Sequence, residues 1–333
     1  MAYNIHTNPK EVLYKMKDTK HKILTLAALT TIAAGVIHLT NRVIVASSQL
    51  KEMLDFSNHN YYNWRFGKIY YTKKGKGSPL LLIHDTMPGA SGYEWSRIED
   101  QLVQEHTVYT LDLLGCGRSE KAGITYTNFI FVQIICDFIK NVIKEKTDII
   151  ASGFSCSFVT TAAAYDKESI NKIMFINPVS MISLAQTTTK KDKLFKFFIE
   201  LPIFGTFIYH IIVSRETIND FFLDNLYYNP FHVDKDVLDA YYEAAHKGGY
   251  YAKCLYSSQS AKYMNINIRH AVESIDNSIY IVEGEDEPNG AAIVEAYQKV
   301  NPAIESATIS CSKHFPHRSE ERRVGKECRS RWS

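Results

Sequence analysis

The chain is short of several features that would place it at a glance. It has no disulfide framework. Outside the last sixteen residues the cysteines are Cys116, Cys136, Cys156, Cys254 and Cys311, an odd number without regular spacing. Neither sign of charge dominates, with 38 Lys and Arg against 36 Asp and Glu. Residues 318–333 hold six basic and three acidic side chains, so the body stands at 32 against 33 and presents no case for nucleic acid. The full dinucleotide fingerprint of spaced glycines is missing. His84 and Asp85 are adjacent rather than at metal-ligand spacing, so no metal is expected, and no motif calls for an organic cofactor.

What is present begins at Asp148-Ile149-Ile150-Ala151-Ser152-Gly153-Phe154-Ser155-Cys156-Ser157. An apolar strand runs into Gly-x-Ser-x-Ser and then into a helix-like run from Phe158. Small residues around a serine in a strand-to-helix turn lift its hydroxyl above the sheet. A second segment, Pro79-Leu80-Leu81-Leu82-Ile83-His84-Asp85-Thr86-Met87-Pro88-Gly89, is a buried strand followed by a Pro and Gly loop. A third, Asp112-Leu113-Leu114-Gly115-Cys116-Gly117-Arg118-Ser119, follows another apolar strand. Its Asp112 and Arg118 read as braces for the loop, and its glycines as sites of positive φ.

In this order the three segments resemble an α/β-hydrolase of the lipase, esterase and haloperoxidase-like group, over residues 65–317. The resemblance implies a mostly parallel central sheet with helices on both faces and a helical cap insertion. Strands are expected at 66–71, 80–84, 107–112, 148–152, 172–177, 278–283 and 306–310, with helices such as 130–143 and 293–300 between them. It implies Ser155 as nucleophile and the amides of Cys156 and Thr86 as oxyanion donors. His314, in the His-x-Pro loop after the last strand, is the implied base. The acid is Glu287, with Asp286 as the near alternative; adjacent carboxylates are not ranked by sequence. His84 and His317 read as structural.

The expected activity is hydrolysis of a carboxylic ester or related acyl bond of a small molecule through an acyl-enzyme intermediate. Carbon–carbon bond hydrolysis and perhydrolysis use the same triad. A serine nucleophile argues against the dehalogenase branch, where aspartate attacks. The rival from another class is a non-catalytic binding protein that kept the fold. It is motivated by Asp85, where glycine is usual, by Ser157 and by the ambiguous acid.

Residues 23–39 are apolar apart from Thr25, Thr30, Thr31 and His38, at the short end of a bilayer span. Lys10, Lys15, Lys17, Lys20 and Lys22 precede the run, which puts the N-terminus in the cytoplasm and the hydrolase outside. Free thiols pull the other way, so topology stays open. The chain divides into a basic N-terminus (1–22), a membrane anchor (23–42), a connector (43–64), core halves (65–181 and 278–317), a cap (182–277) and a tail (318–333). In the aromatic-rich cap, the spacing of Leu194, Phe197, Phe198 and Leu201 predicts one buried helix face. The tail, with only Val324, Cys328 and Trp332 apolar, reads as adaptor or vector read-through joined to a truncated gene.

Overall fold

The computed structural model describes residues 9–54, 60–229, 231 and 233–318. Most of the tail therefore lies outside the described residues. Eight strands form one sheet: β1 (Asn60–Trp64), β2 (Gly67–Lys74), β3 (Ser78–Ile83), β4 (His106–Leu111), β5 (Thr147–Ser152), β6 (Ile170–Ile176), β7 (Ile279–Gly284) and β8 (Glu305–Ile309). Their order is β1-β2-β4-β3-β5-β6-β7-β8. β2 runs antiparallel to both neighbours, and the other pairs are parallel. The seven expected strands overlap β2 to β8. β1 falls within the expected connector, since Asn60 and Asn63 break its apolar pattern; pairing with β2 holds it in place.

The described helices are α1 (Pro9–Ser48), α2 (Glu99–Leu102), α3 (Asn128–Phe138), α4 (Ser155–Tyr165), α5 (Met181–Leu184), α6 (Lys190–Glu200), α7 (Phe204–Ile212), α8 (Arg215–Phe221), α9 (Lys235–His246), α10 (Lys253–Ser260), α11 (Arg269–Ser274) and α12 (Gly290–Val300). Both faces of the sheet are covered, which is why its central strands read as unbroken apolar runs. Leu81 and Ile83 of β3 pack into the cluster that holds α3 and α4, whereas Leu80 and Leu82 pack with Trp95, Ile98 and Leu102 on the other side. Phe131 of α3 and Phe158 of α4 are fully buried and stack 4.5 Å apart. Burial of each ring contributes about 2 kcal/mol, and the pair fixes α4 against the sheet.

Helices α5 to α11 lie between β6 and β7. Tyr209 of α7, Phe222 just after α8 and Tyr241 of α9 join Ala90 and Phe315, from the loops after β3 and β8, in one buried cluster. The cap is thereby seated over the carboxyl ends of the strands. One expectation is reversed here: Leu194, Phe197 and Phe198 are exposed. Helix α6 packs against α10 and buries the opposite stripe, Lys196 and Ile199, so its apolar stripe faces outward.

Helix α1 runs well beyond residues 23–42 at both ends. Its segment Lys17–Ser48 is long and apolar enough to cross a membrane, a property it shares with signal sequences. Thr25, Thr30, Thr31 and Thr40 return their hydroxyls to carbonyls one turn back, which removes the cost of exposing them to an apolar medium. The end of α1 is tied to the cap. Asn41 donates to the Ile203 carbonyl at 3.0 Å, Lys51 pairs with Asp239, and the Met53 amide donates to Glu243 at 2.7 Å.

Candidate active site

Strand β5 turns into α4 through Gly153 and Phe154. The residue with positive φ in this turn is Gly153, at +52°, and not Ser155. Ser155 already lies in the first turn of α4, fully buried, and its hydroxyl donates to the His84 carbonyl at 2.6 Å. The Cys156 amide lies 3.4 Å from the Gly153 carbonyl and closes the turn rather than facing a site. The sharp bend therefore falls two residues earlier than the Gly-x-Ser-x-Ser motif implies. Ala151-Ser152-Gly153-Phe154-Ser155 is the small-x-Gly-x-small frame that occupies it.

His314 follows β8 and is mostly buried. Its Nδ1 lies 3.0 Å from Glu287 Oε1, and its Nε2 lies 3.3 Å from Asp85 Oδ2. Of the two acids left open by sequence, Glu287 meets the ring, while Asp286 is exposed and its amide donates to the Ser312 carbonyl. Asn177, at the end of β6, fixes both loops. Its Nδ2 donates to the carbonyls of Lys313 and His314, and its Oδ1 accepts from the Gly284 amide.

The structure thus joins His314 to Glu287 but not to Ser155. The group on the far side of the imidazole is the Asp85 carboxylate. Its Oδ1 accepts from the Thr86 amide at 2.6 Å and the Phe154 amide at 2.9 Å. Those are the amide after the bend and an amide of the loop after β3, the two positions from which an oxyanion is held in this kind of turn. The amides turned toward this carboxylate are thus those of Thr86 and Phe154, and the Cys156 amide is not among them.

The electrostatics follow from this geometry. Burial would lower the His314 pKa, but hydrogen bonds and charge from Asp85 and Glu287 outweigh it and lift the ring to about 10. Burial would raise the Asp85 carboxyl; the His314 interactions and the amides of Phe154 and Thr86 hold it below its usual range instead. The ring thus lies between two carboxyl groups that favour its protonated form.

Behind Asp85 lies a buried acid that sequence reasoning passed over. Glu94 accepts from the Asp85 amide at 3.2 Å and from the Ser152 hydroxyl, and lies 3.3 Å from His317 Nε2. His84 is structural: its Nε2 accepts from the Leu113 amide at 3.0 Å. Asp112 takes two contacts from the Arg118 side chain, at 2.8 and 3.0 Å, and one from the Gly92 amide at 2.7 Å. This is the bracing role expected of it.

Residues 79–198 match the family described as alpha/beta hydrolase fold. The chain has the α/β-hydrolase fold. Among curated proteins it is 26% identical over 114 residues to a 2-hydroxy-6-oxo-6-(2'-aminophenyl)hexa-2,4-dienoic acid hydrolase of Metapseudomonas resinovorans, a match covering 34% of this chain and 39% of that one. It is 28% identical over 109 residues to a soluble epoxide hydrolase of Corynebacterium sp. (strain C12), covering 33% and 37%. The chain thus spans under two fifths of the length of these curated relatives. Among solved structures, a membrane phospholipase A described as a bacterial virulence factor superposes with a TM-score of 0.64 at 16% identity, over 93% of this chain and 97% of that one. At that identity the likeness establishes the fold of this α/β-hydrolase.

Proposed function

We propose that this α/β-hydrolase is a membrane-tethered hydrolase that attacks its substrate with the Asp85 carboxylate, and that His314 and Glu287 serve the attack. The observation that carries this is the double role of Asp85, with Oδ1 on two backbone amides and Oδ2 facing the imidazole. A carboxylate nucleophile suits a saturated carbon carrying an oxygen leaving group, so the substrate class is an epoxide. The relatives include both a soluble epoxide hydrolase and methyl ester esterases, so the carboxylate nucleophile itself is what favours this class over the ester expected from Ser155.

Asp85 Oδ2 bonds to the carbon, and the carbon–oxygen bond breaks with its electron pair leaving on oxygen. That oxygen takes the His314 proton. Esterification removes one of the two charges that hold His314 protonated, which lowers its pKa and lets the ring act as a base. It then takes a proton from water, whose oxygen bonds to Asp85 Cγ. The charge that develops on Oδ1 lies against the amides of Phe154 and Thr86. Collapse breaks the Cγ–Oδ2 bond, the departing alkoxide recovers a proton from the new acid, and a diol leaves with Asp85 again ionised and His314 again cationic.

A single turnover of styrene oxide in heavy-oxygen water tests this. The peptide containing Asp85 should gain one heavy oxygen. Fluorophosphonate labelling of Ser155 that disappears in Ser155→Ala would return the nucleophile to the serine. The non-catalytic reading has one observation in its favour: Asp85 is 7% exposed and fills the oxyanion donors by itself. Neither heavy oxygen nor fluorophosphonate in the folded chain is the outcome that reading expects. The tether rests on the exposed apolar segment Lys17–Ser48. The lysines that precede residues 23–39 favour a hydrolase domain outside the cytoplasm, which protease accessibility in intact cells would test.

A further inference from the structure

Three apolar surfaces that a soluble domain would hide are contiguous in this fold. Segment Lys17–Ser48 of α1 is exposed along its most apolar stretch. The same helix packs against α7 and α9 of the cap. Helices α6 and α7 meet at 103°, and together they are apolar enough to count as a broken or re-entrant span. Phe204, Ile208 and Ile211 of α7 are exposed beside α1, and Leu194, Phe197 and Phe198 of α6 continue the patch. Exposed Lys190, Lys191 and Lys193 open α6 at its N-terminal end. An amphipathic helix with its apolar stripe outward and lysines at its border is built to lie in a membrane interface.

A cavity of about 210 Å³ opens next to this patch. Its walls include Met87, Pro88, Ile212, Ile218, Phe221 and Phe222, all apolar. Phe221 is exposed at the cap surface, whereas Met87 and Pro88 directly follow Asp85 and Thr86 in the loop after β3. The lining joins the membrane-facing side of the cap to the catalytic loop.

We propose that α1, α6 and α7 form one bilayer-seated face, and that the cavity takes a hydrocarbon chain of an amphiphile drawn from the membrane. The proposal deepens the functional reading: it rests on the same site and names its substrate class as a lipid-borne chain, presented end-on to Asp85. Such a ligand needs no route through water. Its transfer is driven by apolar burial within the cap, and the lysines at the start of α6 favour anionic headgroups at the bilayer surface.

Full-length protein would be mixed with vesicles of phosphatidylcholine and phosphatidylglycerol whose acyl chains are brominated. Phe197→Trp and Ile211→Trp should add fluorescence that the bromines quench. Tyr165→Trp, exposed on the core at the end of α4, should add fluorescence that they do not. Equal quenching in the three variants, on protein that sediments with the vesicles, would overturn the seated face. For the cavity, cis-parinaric acid should bind the wild type and Asp85→Asn alike. Ile212→Trp, which fills the lining, should weaken binding by about tenfold. Phe221→Ala, which widens the mouth, should retain it, and an unchanged melting temperature of Ile212→Trp excludes a general loss of fold. Binding unchanged by Ile212→Trp, or absent from the wild type, would overturn the chain site. Because Asp85→Asn keeps the cavity, failure of binding and failure of heavy-oxygen transfer to Asp85 are separate results.

Discussion

The Asp85 carboxylate occupies the space that a side chain at Gly153 would need. A β-carbon at Gly153 would come within 2.2 Å of Asp85 Oδ2 and 2.3 Å of its Cγ. In a sharp strand-to-helix turn, the residue with positive φ projects its side chain toward the histidine. Here that residue has no side chain, and a carboxylate from the loop after β3 takes the position.

This exchange should be reversible. The double variant Gly153→Ser with Asp85→Gly restores a hydroxyl at the bend and frees the amides of Phe154 and Thr86. It should react with a fluorophosphonate probe, which the wild type should not. Mass spectrometry of the labelled peptide checks the position.

Gly153→Ala alone should destabilise the protein. The added carbon must displace a buried carboxylate and adopt a strained φ, at a cost of about 2 kcal/mol or more. Urea unfolding measures it, and Asp85→Gly in the same chain should relieve part of the loss.

Stability should fall at high pH through His314. Its folded pKa, about 10, lies above the unfolded value of about 6.5. The contribution is therefore complete below about 6.5 and is lost as pH rises through about 10. Asp85 has the opposite sign: its lowered pKa contributes above about 3.9 and is lost as pH falls through the folded value. Melting temperature should slope downward above neutral pH in the wild type, and the slope should be shallower in His314→Gln.

Glu287→Gln should lower turnover by about a hundredfold or more, since the ring loses the charge on its Nδ1 side. Asp286→Asn, at an exposed carboxylate, should leave turnover unchanged. Steady-state rates on one epoxide compare them.

Asp112→Asn should destabilise by about 3–5 kcal/mol, because it removes the charge paired with the buried Arg118 guanidinium. Arg118 holds the Asp112 carboxyl down at about 2 against the opposing effect of burial. Loss of the pair should also loosen the Gly92 contact. A urea melt with a tryptophan signal reads both effects.

Much of this protein was legible in its residues. The buried strands announce themselves as apolar runs because both sheet faces are covered, and β1 escaped because its partner, not its composition, makes it a strand. His314 and Glu287 were legible from loops that follow strands in a known order. The outward stripe of α6 was not, since periodicity reports that a helix is amphipathic without saying what its apolar side meets.

The amino-acid order determined the sheet, the cap between β6 and β7, and the histidine with its acid, because each is a local pattern of burial and turn chemistry. Folding alone decided which residue stands at the bend. The five-residue motif fits two frames, and the choice between them lies in strand register and in a carboxylate from 69 residues away. No local pattern encodes that meeting, because packing β3 beside β5 creates it.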